Sequence, residues 1–215
     1  MQYPNEKVLV IPEALAIAIA PELWNPAPPL VQHRILSDYS FRDRNEVEEN
    51  PAYKQIIPYI LVSHNDRGHK YFLLSLRTKK QSETRLHNKY SLGQGGHVNE
   101  SDFMTAASGG APKNAILEGL KRELREEFVL APEYGCAAIG LINDNSTPVG
   151  RVHLGLAYEL RVASKFLEVT KAEKDQREAW YLDAEQLAPY YPQMESWSQI
   201  LMDHVIQPKR VVREA

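Results

Sequence analysis

The segment from Ile116 to Leu130 constrains the fold most, because it reads as an amphipathic helix whose carboxylates do not all lie on its polar side. At about 100° per residue, the apolar side chains gather into one stripe of this helix. The stripe contains Ile116, Leu117, Leu120, Leu124 and Phe128. On the same wheel Glu127 falls inside the apolar arc, Glu123 and Glu126 fall at its rim, and Arg122 falls on the solvent side. We therefore predict a helix that packs on a core and presents carboxylates beside it.

The position of these glutamates favours a cation. An unpaired carboxylate costs several kcal/mol to bury, so such a group normally has a cation or a charged partner. A hard divalent ion, Mg²⁺ or Mn²⁺, suits a set of candidate ligands that are all oxygens. Gly119 is expected to leave space beside Glu123 and Glu126. The alternative is a solvated helix face on which Arg122 and Arg125 pair with the glutamates at helical spacing.

The composition is that of an ordinary globular protein. The chain has 215 residues, of which 43% are hydrophobic and 25% charged, with a net charge of −3. This balance gives no electrostatic footprint for a nucleic-acid polymer or an anionic membrane. Cys136 is the single cysteine, so no intrachain disulfide can form and a cytoplasmic setting is expected. The apolar run Val8–Ala20 is shorter than a membrane span and is interrupted by Pro12 and Glu13, so we predict a structured segment there.

Strand and helix patterns are mixed along the chain without regular alternation, which predicts an α+β fold. We divide the chain into an N-terminal extension at 1–52, a main domain at 53–190, and a C-terminal helix at 191–215 that packs on the domain. The extension contains the proline-rich stretch "WNPAPPL", which we predict to be a loop. Pro58 interrupts the first apolar run of the main domain and predicts an edge or a bulge there.

A glycine-rich stretch, "GQGGHV" at Gly93–Val98, follows a predicted strand and precedes the acidic helix. Adjacent glycines allow the backbone to approach a ligand closely. Together with "RELREEFVL" at Arg122–Leu130, this stretch resembles the box of the Nudix hydrolase family, and the resemblance spans roughly residues 55–190. The family's box is a glycine, five residues, a glutamate, seven residues, then Arg-Glu-aliphatic-any-Glu-Glu. The resemblance implies a mixed β-sheet sandwiched between helices.

Three departures from the family pattern stand out. Asp102 replaces the first glutamate of the box. An insertion, which we place at residues 103–113, separates Asp102 from Arg122. Val129 replaces the glycine that follows the helix, where glycine serves as a left-handed cap. None of these changes removes the three helix glutamates.

The resemblance implies a metal-dependent hydrolase that attacks phosphorus with water, acting on a nucleoside diphosphate derivative or a related diphosphate. Glu126 and Glu127, with the backbone carbonyl of Gly96, would hold Mg²⁺ or Mn²⁺. Glu123 would complete the metal site or assist the water, and Arg122 would orient the carboxylates. The departures keep an alternative open, which is a catalytically weak or inactive domain that binds or senses a nucleotide.

Further residues are candidates for substrate binding. The family often takes an additional acid from a later loop, and Glu168, Glu173 and Glu178 are the candidates in this sequence. Arg77, Arg85 and His97 could meet the substrate's phosphates, although a solvated basic loop and a plain loop histidine are the alternatives. The partner is then a small-molecule diphosphate. The extension has no assignable pattern, and covering the sheet or forming a homodimer contact are its two open roles.

Overall fold

The computed structural model describes Tyr3 and residues 5–77, 88–107, 115–129, 134–163, 168–169 and 177–208. Within these residues the chain forms one large mixed sheet with helices packed against both of its faces. This arrangement confirms the predicted α+β class and the mixed sheet between helices.

The described elements are as follows. The strands of the large sheet are β1 (Lys7–Pro12), β2 (Trp24–Pro26), β3 (Ser40–Asp43), β4 (Tyr53–Asp66), β5 (His69–Arg77), β6 (Tyr90–Ser91), β7 (Gly93–Gly95), β9 (Tyr134–Ile142), β10 (His153–Val162) and β12 (Arg177–Asp183). A separate pair of strands is β8 (Phe128–Val129) with β11 (Glu168–Val169). The helices are α1 (Glu13–Ile19), α2 (Val31–Ile35), α3 (Arg44–Val47), α4 (Glu100–Ala107), α5 (Ala115–Glu127), α6 (Ala184–Leu187) and α7 (Ser196–Leu201). A π-helical turn, Met202–Ile206, continues α7.

The centre of the sheet is the parallel pair β4 and β10. The strand order is β12-β5-β4-β10-β9-β2, and β1 and β7 pair with the remaining parts of β4. Strand β4 is buried almost throughout, as its run of apolar residues predicts for a strand that is covered on both faces. Its hairpin to β5 closes through Arg67 and Gly68, whose φ angles of 49° and 87° match the left-handed turn that fits a two-residue hairpin loop.

The prediction of an edge or a bulge at Pro58 is wrong, because Pro58 lies inside the central strand β4. It pairs in register with Leu156 of β10. On the other side of β4, the pairing with β1 ends at Gln55 and the pairing with β7 begins at Tyr59. Proline lacks an N–H donor, and this interval between two partner strands is where the loss of a ladder hydrogen bond is tolerated.

Two hydrophobic clusters cover the two faces of the sheet. On one face Ile56 and Ile60 of β4 pack with residues of α1, α2 and α5. On the other face Tyr59 and Leu61 pack with α6, α7 and the π-helical turn. The alternation along β4 is the period of two that a strand imposes on its side chains. The sheet thereby fixes α5 on one face and the C-terminal helix on the other.

The N-terminal residues are built into the same sheet. The apolar run expected to be structured forms β1 and α1, and β1 pairs with both β3 and β4. The stretch "WNPAPPL" was predicted to be a loop, but Trp24–Pro26 form the short edge strand β2 beside β9. Proline is compatible with an edge strand because the free edge needs no donor.

The region around the box contains two helices, α4 and α5, in its described residues. Residues 103–107, predicted to be part of an inserted loop, belong to α4, and residues 108–114 lie outside the described part of the chain. Helix α5 ends at Glu127 instead of continuing to residue 130, because Phe128 and Val129 turn into the short strand β8. Among the described residues, no helix is both long and apolar enough to cross a membrane.

Candidate active site

The loop that follows β7, residues 96–99, is called the glycine loop. It meets the acidic face of α5 at Gly96. A Cβ atom added to Gly96 would lie 2.2–2.4 Å from the carboxyl atoms of Glu123. Glycine is therefore required here for the carboxylate to sit against the loop backbone. Gly95 is constrained as well, because a Cβ there would lie 2.7 Å from the carbonyl oxygen of Pro58. The two glycines predicted to allow close approach thus bring the loop within reach of α5 and β4.

Arg122 connects the carboxylates of α5 to the glycine loop. Its Nη1 donates to Glu123 Oε1 at 2.7 Å and to Glu126 Oε2 at 2.9 Å. Its Nη2 donates to the carbonyl oxygen of His97 at 2.6 Å. One guanidinium therefore fixes two carboxylates of α5 against the glycine loop. Burial alone would lower the pKa of Arg122, but its hydrogen bonds to Asp102 and the charge of Glu123 raise it above the usual range, so the guanidinium stays charged.

The helical wheel placed Arg122 on the solvent side, and the structure corrects this. Its side chain is only 26% exposed, since it folds back toward the loop and toward α4. The wheel records where a Cβ points, whereas a long arginine side chain reaches a neighbouring element. Leu117, predicted in the buried stripe, is 38% exposed, so the buried arc of α5 is centred closer to Ile116 and Leu120. Consistent with this shift, Glu123 is buried at 7% exposure, deeper than its predicted rim position.

Asp102 binds Arg122 and the backbone that precedes α4. Its two oxygens accept from Nε and Nη2 of Arg122 at 3.0 Å and 3.1 Å, and Oδ2 also accepts from the backbone N–H of Asn99 at 2.8 Å. Gly119 was expected to leave space beside Glu123 and Glu126. That space is taken by α4 instead, because a Cβ on Gly119 would lie 3.1 Å from Asp102 Oδ2.

The carbonyl of His97 binds the guanidinium of Arg122, and the His97 ring contacts His153. Its Nε2 lies 3.4 Å from Nε2 of His153, and the two ring centroids are 5.5 Å apart. Burial, followed by the positive charges of Arg44, His153 and Arg122, lowers the pKa of His97 well below its usual value. His153 was not singled out from the sequence, since it stands in no motif and only the fold brings it to the loop.

Several predicted site residues cannot be placed in this network. The side chains of Glu127, Arg77 and Glu168 lie outside the described part of the structure, as do Arg85 and Glu173 entirely. Glu178 is exposed and pairs with Leu76 across β12 and β5. The described members of the predicted set that come together are Gly96, Arg122, Glu123, Glu126 and, through its carbonyl oxygen, His97.

The residues that meet here suit a hard divalent cation. Glu123 offers a buried carboxylate, Glu126 a carboxylate whose side chain is 58% exposed, and the loop offers backbone carbonyls. All of these donors are oxygens, which Mg²⁺ and Mn²⁺ prefer. Glu123 and Glu126 both accept a hydrogen bond from Nη1 of Arg122, so the buried and the exposed carboxylate lie close together beside the loop. The donor set therefore fits the cation that the sequence predicted.

Comparison with known proteins identifies relatives by sequence and by structure. No protein-family model matches the chain. The chain is 33% identical over 178 residues to protein YmaB of Bacillus subtilis strain 168, a match that covers 80% of this chain and 81% of YmaB. It is 32% identical to Tm1382, described as a candidate Nudix hydrolase, whose crystal structure superposes with a TM-score of 0.73 and covers 92% of this chain and 96% of that chain. A Nudix hydrolase from Alicyclobacillus acidocaldarius, 11% identical with a TM-score of 0.50, shares the fold over 71% of this chain and 91% of its own.

Proposed function

The chain belongs to the Nudix hydrolase superfamily, and from this premise we propose that it is a metal-dependent hydrolase of a nucleoside diphosphate derivative or a related small-molecule diphosphate. The single observation that carries the proposal is the carboxylate of Glu123, buried against Gly96 and held there by Arg122. Arg122 shares one positive charge among Asp102, Glu123 and Glu126, and a divalent cation shared with the substrate would add to it.

Glu123, Glu126 and Glu127, with the backbone carbonyl of Gly96, would hold Mg²⁺ or Mn²⁺. When bound, such an ion neutralises charge on the diphosphate and lowers the pKa of a bound water. Arg122 spreads one guanidinium over Glu123 and Glu126, so both carboxylates keep fixed orientations before any ligand arrives. Fixed carboxylates lose less entropy on binding than carboxylates that must first be ordered.

The two carboxylates differ in their exposure to solvent. Glu123 is shielded from water, which strengthens its interaction with a cation, whereas Glu126 is reachable from solvent. Glu123 and Glu126 together would hold the ion, and the exposed Glu126 would leave it accessible to the substrate. The predicted contacts of Arg77, Arg85 and His97 with substrate phosphates, and of a later acid with the site, stay predictions.

The test is hydrolysis of a panel of nucleoside diphosphate derivatives with Mg²⁺, Mn²⁺ or neither. We expect metal-dependent product release by the wild type and a loss of roughly 100-fold or more in Glu126→Gln and Glu127→Gln. Glu118→Gln is the matched control, since Glu118 lies on the same helix but pairs with Lys121. Equal rates in wild type and both site variants would contradict the proposed metal ligands.

A nucleotide-binding domain without turnover is the second candidate. The observation that favours it is Asp102, which stands where the family has a glutamate and whose oxygens are engaged by Arg122 and by the Asn99 N–H. Calorimetry separates the two functions. Tight binding of a nucleotide diphosphate at saturating Mg²⁺, without products after prolonged incubation, would favour the binding domain.

A further inference from the structure

A second group of ligand-type side chains lies on the other side of the glycine loop. Glu48, His97 and His153 each offer one ligand atom, and these atoms all lie within 4.8 Å of one another. The three residues come from separate parts of the chain, namely the end of α3, the loop after β7 and the start of β10. His153 is buried at 5% exposure and the other two are partly buried. Only the tertiary fold brings them together.

The two imidazoles have the geometry of a pair of metal ligands. Their Nε2 atoms are 3.4 Å apart. Two nitrogens bound at about 2.0–2.1 Å to a tetrahedral ion are about 3.4 Å apart, so the observed spacing already matches that of a bound pair. The two rings meet at 65° and are not stacked, and the same Nε2 spacing also permits a hydrogen bond from one ring to the other.

The hydrogen bond on the far side of His153 fixes its tautomer. Nδ1 of His153 lies 2.7 Å from the carbonyl oxygen of Val149. A carbonyl only accepts, so Nδ1 carries the hydrogen and Nε2 of the neutral ring keeps its lone pair. A ring nitrogen that donates to a backbone carbonyl while the other faces the ion is the usual arrangement of a metal-bound histidine.

Gln55 supplies an independent observation. It is aligned with His153 in the parallel pair of β4 and β10, so both side chains lie on the same face of the sheet. Gln55 is fully buried, and among the described residues neither its amide nitrogen nor its amide oxygen has a hydrogen-bond partner. A buried amide normally finds a partner, and a water held by an ion beside His153 is one.

We propose that Glu48, His97 and His153 bind a divalent transition-metal ion of the zinc class, at a site separate from the oxygen ligands of α5. Two imidazoles and one carboxylate suit Zn²⁺, whereas Mg²⁺ and Mn²⁺ prefer the all-oxygen set around Glu123. The ion ties the N-terminal residues to the glycine loop through its Glu48 and His97 ligands. Because the His97 carbonyl also binds Arg122, the same tie steadies the loop against α5.

Arg44 is an alternative partner for Glu48. Its Nε lies 3.5 Å from Glu48 Oε2, so a cluster of Arg44, Glu48 and the two histidines that holds no metal is the alternative. This alternative predicts no stoichiometric zinc. The metal site predicts that zinc binds in spite of the nearby guanidinium, since a carboxylate can contact both cations through its two oxygens.

The experiment uses zinc alone as the probe. Full-length protein is stripped with a chelator and dialysed against Zn²⁺ in a large excess of Mg²⁺, and the bound zinc is counted by mass spectrometry. We expect one Zn²⁺ per chain in the wild type, and an affinity at least about tenfold weaker in His153→Ala and Glu48→Gln. Glu48→Gln preserves the size of the side chain and tests the site even if His153→Ala fails to fold.

Matched controls separate this site from the proposed hydrolase site. His64→Ala removes another histidine whose Nδ1 contacts a backbone carbonyl, that of Val162 at 3.0 Å, and should leave zinc binding unchanged. Glu126→Gln should also retain zinc. Zinc that is absent from the wild type, or retained in both cluster variants, would overturn the proposal. Zinc lost in Glu126→Gln would do the same, since it would assign the ion to α5.

Discussion

The ion pair between Asp102 of α4 and Arg122 of α5 should contribute measurably to stability. The Asp102 side chain is 6% exposed and that of Arg122 is 26% exposed. Removing one partner of a buried pair costs about 3–5 kcal/mol, because the other charge stays behind without its counterion. In Arg122→Ala, Asp102 keeps the Asn99 N–H, and the guanidinium was partly solvated, so we expect a loss of about 2–3 kcal/mol.

Asp102→Ala should cost less, about 1–2 kcal/mol, because Arg122 keeps its other acceptors while only the bond to the Asn99 N–H at the start of α4 is lost as well. The assay is urea unfolding of both single variants and the double variant. In the double variant the Asp102 charge is removed together with Arg122, and only Glu123 and Glu126 lose the guanidinium. The loss should therefore fall short of the sum of the single losses by about 1–2 kcal/mol. Lys121→Ala, which removes an exposed pair on the same helix, should change the free energy of unfolding by less than about 0.5 kcal/mol. A coupling energy below about 0.5 kcal/mol would refute the view that this pair is a buried one.

Three further changes test other parts of the structure. Gly96→Ala should displace the flexible end of Glu123 and lower hydrolysis roughly 100-fold in a rate assay, with little change in urea unfolding. Burial lowers the pKa of Lys54 from 10.5 to about 8. Between pH 8 and pH 10.5 the unfolded chain therefore binds more protons, so unfolding measured across this range should show stability that rises with pH by up to about 3 kcal/mol, and Lys54→Met should lack that slope. Gly155→Ala places a Cβ 2.9 Å from the ring of Trp197 and should destabilise the protein by about 1–3 kcal/mol in urea.

The sequence predicted the fold class and the glycine loop well because both depend on local patterns. Strand β4 contains the largely apolar run 56–62, and Arg67-Gly68 is a short turn that closes a hairpin. Helix α5 shows the apolar period of 3.6 residues. Each of these signals is written in neighbouring residues, so no knowledge of the tertiary structure is needed to read them.

The errors arose where a neighbouring element decides the outcome. Pro58 predicts an edge or a bulge, but it lies in the central strand β4, in the interval where the partner strand changes from β1 to β7. Arg122 reads as a solvent-facing residue, but α4 places Asp102 within reach of it. A local sequence pattern cannot predict such cases. The partner of Arg122 lies 20 residues away in the sequence. At Pro58 the outcome depends on where two partner strands end and begin along β4.

The N-terminal residues show the same dependence on tertiary structure with a consequence for the site. Nothing in residues 1–52 matched a motif, and their prediction as a separate extension is untested. In the structure β1 adds to β4, and Val8 forms an isolated bridge with Asn99, next to the glycine loop. Leu9 also donates its N–H to the carbonyl oxygen of Val98 at 2.8 Å. The loop that carries Gly96 is therefore held from the N-terminal side by backbone hydrogen bonds and from the α5 side by Arg122. A loop fixed from both sides keeps Gly96 and Glu123 at one separation, and that is the condition under which a buried carboxylate can serve as a ligand rather than relax away from its partner.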